Sequence, residues 1–320
     1  MSVSVTSAIS MAIARTQTIL FRPFNASKWF TLGFCAWLAY MGNSGGTTVN
    51  FNVGGGGRGG RGGRSELDPV FEWIGSHMPT VIMIGVGLFL LCAALTVLLT
   101  WLRARGQFMF LDGVVRNRGA VAEPWRQFRR QANSLFWVWL VLGLLGLGLL
   151  VITGGIGVLV ALPDIRAEHF GAPAILGILV SALLLLIWST ILGIFQALLV
   201  DFVVPVMYQR NVLTMEAWHI FCHEVAKGLF WKFVLFYLME LVLSIAIGII
   251  AVIATCLTCC IALLPYIGTV ILLPVYVFLR CYSLSFMEQI GPEWRLFQDA
   301  PPGTPAYPPP AMAGMAPPPQ

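Results

Sequence analysis

One pattern appears twice in the chain, as EAWHIFCHEVAKGLFW over residues 216–231 and as EPWRQFRRQANSLFW over residues 123–137. Each copy reads Glu-x-Trp-x-x-Phe, continues to Leu-Phe-Trp and leads into a long apolar run. Apolar residues recur every three or four positions, which is typical of an amphipathic helix. Tryptophan is enriched where a membrane meets water. The pattern therefore predicts a helix on a membrane surface that leads into a transmembrane helix.

The composition points to the same class of protein. Of the 320 residues, 58% are hydrophobic and 10% are charged, whereas an average soluble domain is about 25% charged. Several runs exceed the roughly 18 apolar residues that a helix needs to cross a bilayer. We therefore predict an all-α fold, a polytopic helical membrane protein with interfacial amphipathic helices and internal repeats.

The apolar runs predict about six transmembrane helices in a membrane domain of residues 1–295, with an interfacial helix over residues 3–20. The predicted spans cover residues 28–43, 80–102, 136–162, 173–200, 233–257 and 269–285. The first is shorter than the usual length of about 20 residues, so we expect Lys28 to snorkel at its flank.

A third copy of the repeat is predicted at Ser27-Lys28-Trp29-Phe30, which resembles the Leu-Phe-Trp ends of the other two. The third span is rich in glycine. Small residues permit close helix contact in lipid, so the pattern predicts a central packing helix. Its glycines are Gly143, Gly146, Gly148, Gly154, Gly155 and Gly157.

Two segments have low-complexity composition. Residues 44–68 contain the run GGGGRGGRGGR and predict a flexible loop. An Arg-Gly-Gly run also occurs in RNA-binding proteins, but a short tethered loop favours a linker, and we expect no nucleic acid partner. Residues 296–320 are rich in proline and predict a disordered tail with polyproline II character.

The basic residues are distributed unevenly around the predicted spans. Of 19 Lys and Arg residues, only Arg58, Arg61, Arg64 and Arg166 fall on one side of the membrane. Basic loops face the cytoplasm, so we predict a bacterial cytoplasmic membrane protein with both termini cytoplasmic. If the first span does not cross, the N-terminus lies on the opposite side.

Glu240 lies inside the fifth predicted span, where a carboxylate costs roughly 2.5 to 3.5 kcal/mol. A proton-linked or cation site would explain it. The alternative is a protonated acid that is hydrogen-bonded to a polar group such as Gln196. No Arg or Lys partner within the membrane is evident from the spacing, and Asp201 is expected to have a structural role at the interface.

His219 and His223 are four residues apart, so a helix presents both on one face, as in some zinc sites. No third ligand is fixed by the spacing, which favours interfacial polar positions and no metal or other cofactor. Cys256, Cys259 and Cys260 leave a redox role open, although small apolar residues are the simpler interpretation. The predicted interfacial anchors are Trp125, Phe128, Trp137, Trp218, Phe221 and Trp231.

The repeated unit, with FRPFNASKWF over residues 21–30 and LLPYIGTVILLPVYVFLR over residues 263–280, resembles an uncharacterised family of bacterial multi-pass membrane proteins. The resemblance covers residues 15–295. The chain is also distantly similar to the membrane region of some glycerophosphodiester phosphodiesterases. The soluble catalytic domain of those enzymes has no counterpart in these residues, so the resemblance implies neither their activity nor a catalytic residue.

Two functions remain open from the sequence. The first is a non-enzymatic scaffold or accessory protein that binds membrane lipids and a protein partner through its basic helices or its Pro-rich tail. The second is a lipid-handling or small-solute transport protein with a pathway near Glu240. An enzyme is the third choice, because no nucleophile motif, phosphate loop or catalytic triad is evident.

Overall fold

The computed structural model describes residues 4–41, 78–166, 171–257 and 264–297, and every secondary-structure element in these ranges is a helix. The Gly-rich loop, Cys259 and Cys260 lie outside the described residues, as does the predicted Pro-rich tail apart from residues 296 and 297. The prediction of an all-α fold is confirmed for the described ranges.

The helices follow in this order: α1 (Val5–Phe21), α2 (Ala26–Tyr40), α3 (Met78–Val115), α4 (Ala122–Gln127), α5 (Arg129–Arg166), α6 (Ala172–Leu198), α7 (Val204–Arg210), α8 (Thr214–Ile220), α9 (Phe230–Leu257), α10 (Pro265–Ile271) and α11 (Leu273–Ile290). A π-helical turn, Leu199–Val203, joins α6 to α7, and a second, Phe221–Val225, follows α8. A 3₁₀ turn, Pro292–Trp294, follows α11.

Four helical segments in the described ranges are long and apolar enough to cross a membrane: α3, α5, the α6–α7 run and α9. The shortest has 28 residues, or about 42 Å at 1.5 Å per residue, against a hydrocarbon thickness of about 30 Å. In the most apolar stretch of α3, no residue is buried within the protein. These apolar surfaces require lipid around them, which confirms the predicted membrane location.

The other two predicted spans correspond to shorter helices. The first is α2, whose 15 residues extend about 22 Å. The sixth is divided at Leu272 into α10 and α11. Pro274 lies in the first turn of α11, where the missing amide hydrogen of proline begins a helix readily but interrupts a continuing one. The count of six spans remains a prediction.

Two predicted helix boundaries differ from the structure. Helix α3 continues to Val115, well past residue 102, because residues 104–114 are buried and their largest contact is with α2. The predicted interfacial helix beginning near Glu123 is divided at Phe128 into α4 and α5. The motif Leu135-Phe136-Trp137 therefore lies inside α5, whereas Leu229-Phe230-Trp231 lies where α9 begins.

The buried core gathers one end of each long helix. It includes residues 104–114 of α3, Leu135 and Trp139 near the start of α5, residues 199–207 of the α6–α7 run, and Phe233 and Phe236 of α9. These are C-terminal and N-terminal ends in alternation. Successive membrane crossings place consecutive helices antiparallel, which accounts for this alternation.

An aromatic cluster fills the centre of the core. The ring of Phe202, in the first π-helical turn, lies 4.9 to 6.0 Å from the rings of Phe221, Phe233, Phe236 and Phe286. These residues come from the second π-helical turn, α9 and α11. Helix α1 packs along α11, so the first and last described helices close the same core.

Glycine permits the closest helix contacts. A Cβ atom on Gly106 would lie 2.5 Å from the backbone nitrogen of Ala39, so α2 and α3 touch through their backbones. A Cβ atom on Gly177 would lie 2.7 Å from the Gly157 carbonyl oxygen, where α5 meets α6.

Helix α5 makes its largest contact with α6, and its role as a central packing helix stays a prediction. Gly146 and Gly157 approach α6, but the space beside Gly143, Gly148, Gly154 and Gly155 is open. Glycine spacing alone does not fix which helix faces receive a neighbour.

The two copies of the repeated pattern are preceded by the same turn. Asn117 and Asn211 each follow an arginine at the end of a helix, and each adopts a left-handed backbone conformation, with φ of 51° and 57°. Asparagine tolerates this conformation better than most residues. Each turn leads into the short helix with the Glu-x-Trp pattern, α4 or α8.

We expect the substitution Gly106→Ala to destabilise the protein by about 1 to 3 kcal/mol, because the added methyl group would overpack the α2–α3 contact. The matched control is Gly85→Ala in the same helix, where a Cβ atom meets nothing within 4 Å. Helix propensity alone would make both changes stabilising. Thermal unfolding in detergent, followed by circular dichroism, distinguishes the two effects, and equal behaviour of both variants would contradict the packing argument.

Candidate functional site

Arg280 lies in the centre of α11 with 1% of its surface exposed. Its Nη1 atom donates a hydrogen bond to the Val200 carbonyl oxygen at 2.7 Å. Val200 belongs to the π-helical turn Leu199–Val203, where the regular helical hydrogen-bond ladder is interrupted. The Nε and Nη2 atoms of Arg280 are buried and have no hydrogen-bond partner among the described residues.

One carboxylate interacts with this guanidinium, and a second carboxylate interacts with the first. Asp201, in the same π-helical turn, interacts electrostatically with Arg280 and with Glu240 of α9. Glu240 is half-buried, and its Oε2 atom is buried without a hydrogen-bond partner among the described residues. One guanidinium balances only one carboxylate. We call Asp201, Glu240 and Arg280 the acid–arginine cluster.

Tyrosines line the acid–arginine cluster. Tyr237 lies one helical turn before Glu240 and faces Asp201, and Tyr40 of α2 lies near Arg280. The rings of Tyr40 and Tyr276 are 4.7 Å apart. Four elements of the core therefore contribute to this cluster: α2, the first π-helical turn, α9 and α11.

The predicted pairing of Glu240 with Gln196 is not observed, since no hydrogen bond joins these residues in the part of the chain that the structure describes. The charge that interacts with Asp201 is Arg280, which the sequence reasoning missed. The signal was present, because Arg280 is a charged residue inside an apolar run. The expectation that Asp201 has only an interfacial role is also incomplete.

A second group of charges surrounds Asp112 near the end of α3. This carboxylate is fully buried and accepts hydrogen bonds from Arg118, through Nε at 3.1 Å and Nη2 at 3.0 Å, and from the Tyr208 hydroxyl at 3.0 Å. Arg116 Nε lies 3.2 Å from it. The Arg118 guanidinium also lies 2.7 Å from Glu123 and lowers the pKa of that exposed carboxyl group. These charges fix the connection from α3 to α4.

Two further arginines of α3 lie against tryptophan rings. The Arg103 guanidinium carbon is 4.4 Å from the ring centroid of Trp139. The Arg105 guanidinium carbon is 4.5 Å from the ring centroid of Trp101 and 4.7 Å from that of Trp125. Cation–π contacts of this kind stabilise a cation that has little access to water.

The six predicted anchors occupy three kinds of position, and each kind has one member from each repeat. Trp137 and Trp231 are 62% and 79% exposed, as expected of interfacial residues. Trp125 and Trp218 are half-buried. Phe128 and Phe221 belong to the buried core, so they anchor helices to each other and not to the membrane surface.

The histidine pair lies on an exposed surface. The rings of His219 and His223 are stacked with centroids 4.1 Å apart, and His223 Nδ1 lies 3.2 Å from the His219 carbonyl oxygen. No group of three or more His, Cys, Asp or Glu side chains with metal-binding geometry occurs within the described ranges.

The chain belongs to a family of unknown function, DUF7544, whose model matches residues 3–273. This confirms the prediction of an uncharacterised family. No curated protein and no solved structure matches the chain.

We expect the substitutions Asp201→Asn and Arg280→Gln each to destabilise the protein by about 3 to 5 kcal/mol, because each leaves a buried charge without its counter-charge. The double variant should lose less than the sum of the two, with a coupling energy of about 0.5 to 3 kcal/mol. Chemical denaturation in detergent measures each value. As a control, Glu216→Gln on the exposed side of α8 should combine additively with Arg280→Gln. Additive losses for Asp201 and Arg280 would rule out their interaction.

Proposed function

We propose that this protein is a non-enzymatic membrane scaffold or accessory protein. In this proposal it resides in a bacterial cytoplasmic membrane, both termini face the cytoplasm, and an inner basic surface binds an acidic protein partner. The resemblance to the membrane region of some glycerophosphodiester phosphodiesterases supplies no catalytic residue to this proposal.

The observation that carries the proposal is a set of arginines without counter-charges. Arg126, Arg129 and Arg130 are exposed on α4 and the first turn of α5, and no carboxylate pairs with them in the described ranges. Arg116 and Arg118, by contrast, are neutralised by Asp112 and Glu123. A cluster of unpaired positive charges on a packed core favours association with a negatively charged partner.

The shape of this surface also supports docking. Three clefts open near it, and each is lined by at least one arginine. The largest, about 680 Å³, lies beside Arg116 and Arg126. The Pro-rich tail is the second proposed docking element, because polyproline segments bind grooves at low cost in conformational entropy.

We further infer six spans built from internal repeats. The matching left-handed turns at Asn117 and Asn211 support the repeats, as does the equivalent burial of Phe128 and Phe221. The positions of α1 and α11 in one core support termini on the same side. Under this proposal α2 is the first span, and α10 with α11 forms the sixth.

The test of the scaffold proposal is native mass spectrometry of the full chain, extracted gently from its source membranes. We expect a stoichiometric protein partner with the unmodified chain and with Arg130→Lys, which keeps the charge. Arg130→Glu should reduce the bound fraction by about tenfold, since the lost charge-assisted contact is worth roughly 1.5 to 3 kcal/mol. A chain that is extracted without a partner, or a partner that binds Arg130→Glu equally well, would overturn the proposal.

A second candidate function, transport of a proton or another cation, is favoured by the acid–arginine cluster. Asp201 interacts electrostatically with both Arg280 and Glu240, and the Oε2 atom of Glu240, which has no hydrogen-bond partner among the described residues, offers a site for a positive charge. Ionisable residues inside membrane helices commonly mark ion pathways. The tyrosines that line the cluster provide hydroxyl groups along such a pathway.

Transport is tested with purified protein in vesicles that contain a pH-sensitive dye. If the protein is a proton transporter, Glu240→Gln should abolish proton uptake that is driven by a membrane potential. Glu216→Gln, on the exposed side of α8, should leave uptake unchanged. Equal uptake in the Glu240→Gln variant, or no uptake beyond that of protein-free vesicles, would exclude proton transport.

A further inference from the structure

A cleft at the junction of α3, α4 and α5 holds both arginines and tryptophans. It measures about 450 Å³ and is lined by Trp101, Arg105, Trp125, Arg126 and Arg129. We call it the Trp–Arg cleft. We propose that the Trp–Arg cleft binds the phosphate group of an anionic phospholipid.

Arg105 forms the floor of this cleft. Its surface is 5% exposed, and its guanidinium group lies against the rings of both Trp101 and Trp125, which contact each other edge to face. Nη1 donates to the Trp125 carbonyl oxygen and Nη2 to Asn133 Oδ1, both at 3.2 Å. The Nε atom is buried and has no partner among the described residues. Arg105 is thus fixed in position while one of its donors remains free.

The charge in the cleft is not balanced. Arg129 lies close enough to Arg105 for their positive charges to repel each other, and Arg126 adds a third charge at the rim. The carboxylate of Glu123, on the same short helix as Arg126, is held by Arg118 at 2.7 Å. Three guanidinium groups around one open volume favour an anion with several acceptor oxygens, and phosphate fits this geometry.

The position of the cleft favours a lipid as the source of the phosphate. Leu95, Leu98 and Leu99 of α3 are exposed, and Trp101 lies two residues after Leu99. Tryptophan at the end of an apolar run marks the headgroup level of a bilayer. A phospholipid whose phosphate group is bound in the cleft would have its acyl chains beside the exposed leucines. A soluble phosphate compound would gain nothing from that surface.

This inference shares Arg126 and Arg129 with the scaffold proposal, but Arg105 and Arg130 separate the two. Arg126 and Arg129 line the cleft, whereas Arg130 is exposed on the next position of α5 and does not. A lipid site and a protein-docking site on the same surface can therefore be tested separately.

The experiment is a native mass spectrometry titration of the full chain in detergent with dioleoyl phosphatidylglycerol and, in parallel, with dioleoyl phosphatidylcholine. We expect tighter binding of phosphatidylglycerol. The double variant Arg126→Gln/Arg129→Gln, which changes only exposed side chains, should weaken this binding by at least about tenfold. The matched control Arg130→Gln should bind as the unmodified chain does. Arg105→Gln should lose binding as well, provided that its thermal unfolding temperature is unchanged.

Three outcomes would overturn the proposal. Equal affinity for the two lipids would show that the phosphate site does not select an anionic lipid. An equal loss in the Arg130→Gln control would show a diffuse charge effect in place of a site. Displacement of the lipid by inorganic phosphate or glycerol phosphate at similar concentrations would identify a soluble phosphate compound as the ligand.

Discussion

A guanidinium buried inside a helical core must find acceptors, because a charge removed from water without partners costs several kcal/mol. Arg280 imposes this requirement on the whole core. Its acceptor is the Val200 carbonyl oxygen, which lies where the π-helical turn interrupts the helical ladder, and its counter-charge is Asp201 in the same turn. A straight α6–α7 helix would keep that carbonyl within its own ladder. The π-helical turn after α6 and the buried charge of Arg280 in α11 therefore depend on each other.

Phe202 shows how the same turn organises the apolar core. It lies next to Asp201 and contacts rings from α9, α11 and the second π-helical turn. The polar and apolar contacts of two adjacent residues thus converge on the same helices. Changing the register of the turn by one residue would disturb both sets of contacts together.

The sequence predicted the features that depend on local composition. The four long helices follow from apolar length, which is a property of each segment alone. Features that depend on distant contacts were missed. Helix α3 extends past Arg103 because residues 104–114 are buried against α2, and no local pattern reports that contact. Phe128 and Phe221 have the spacing of interfacial residues, but burial decides their role.

Arg280 illustrates a different limit of prediction. Its charge was visible inside an apolar run, but its relation to Asp201 and Glu240 depends on how three segments meet in space. The arginines of α3 and of the segment between α3 and α4 cannot be told apart from the sequence alone. The structure divides them into Arg116 and Arg118, which pair with Asp112 and Glu123, and Arg103 and Arg105, which lie on tryptophan rings and pair with no carboxylate among the described residues.

The contact between α1 and α11 bears on how the protein is made. Arg15 and Glu288 form a 2.7 Å ion pair in which both side chains are almost fully buried. A ribosome that adds about 5 to 20 residues per second separates the synthesis of these two residues by roughly 15 to 55 s. All four long apolar helices are complete before Glu288 is synthesised. During that interval Arg15 of α1 lacks its acidic partner Glu288. Insertion into the membrane therefore precedes closure of the core. A chain interrupted before α11 would be inserted, but its core would remain open.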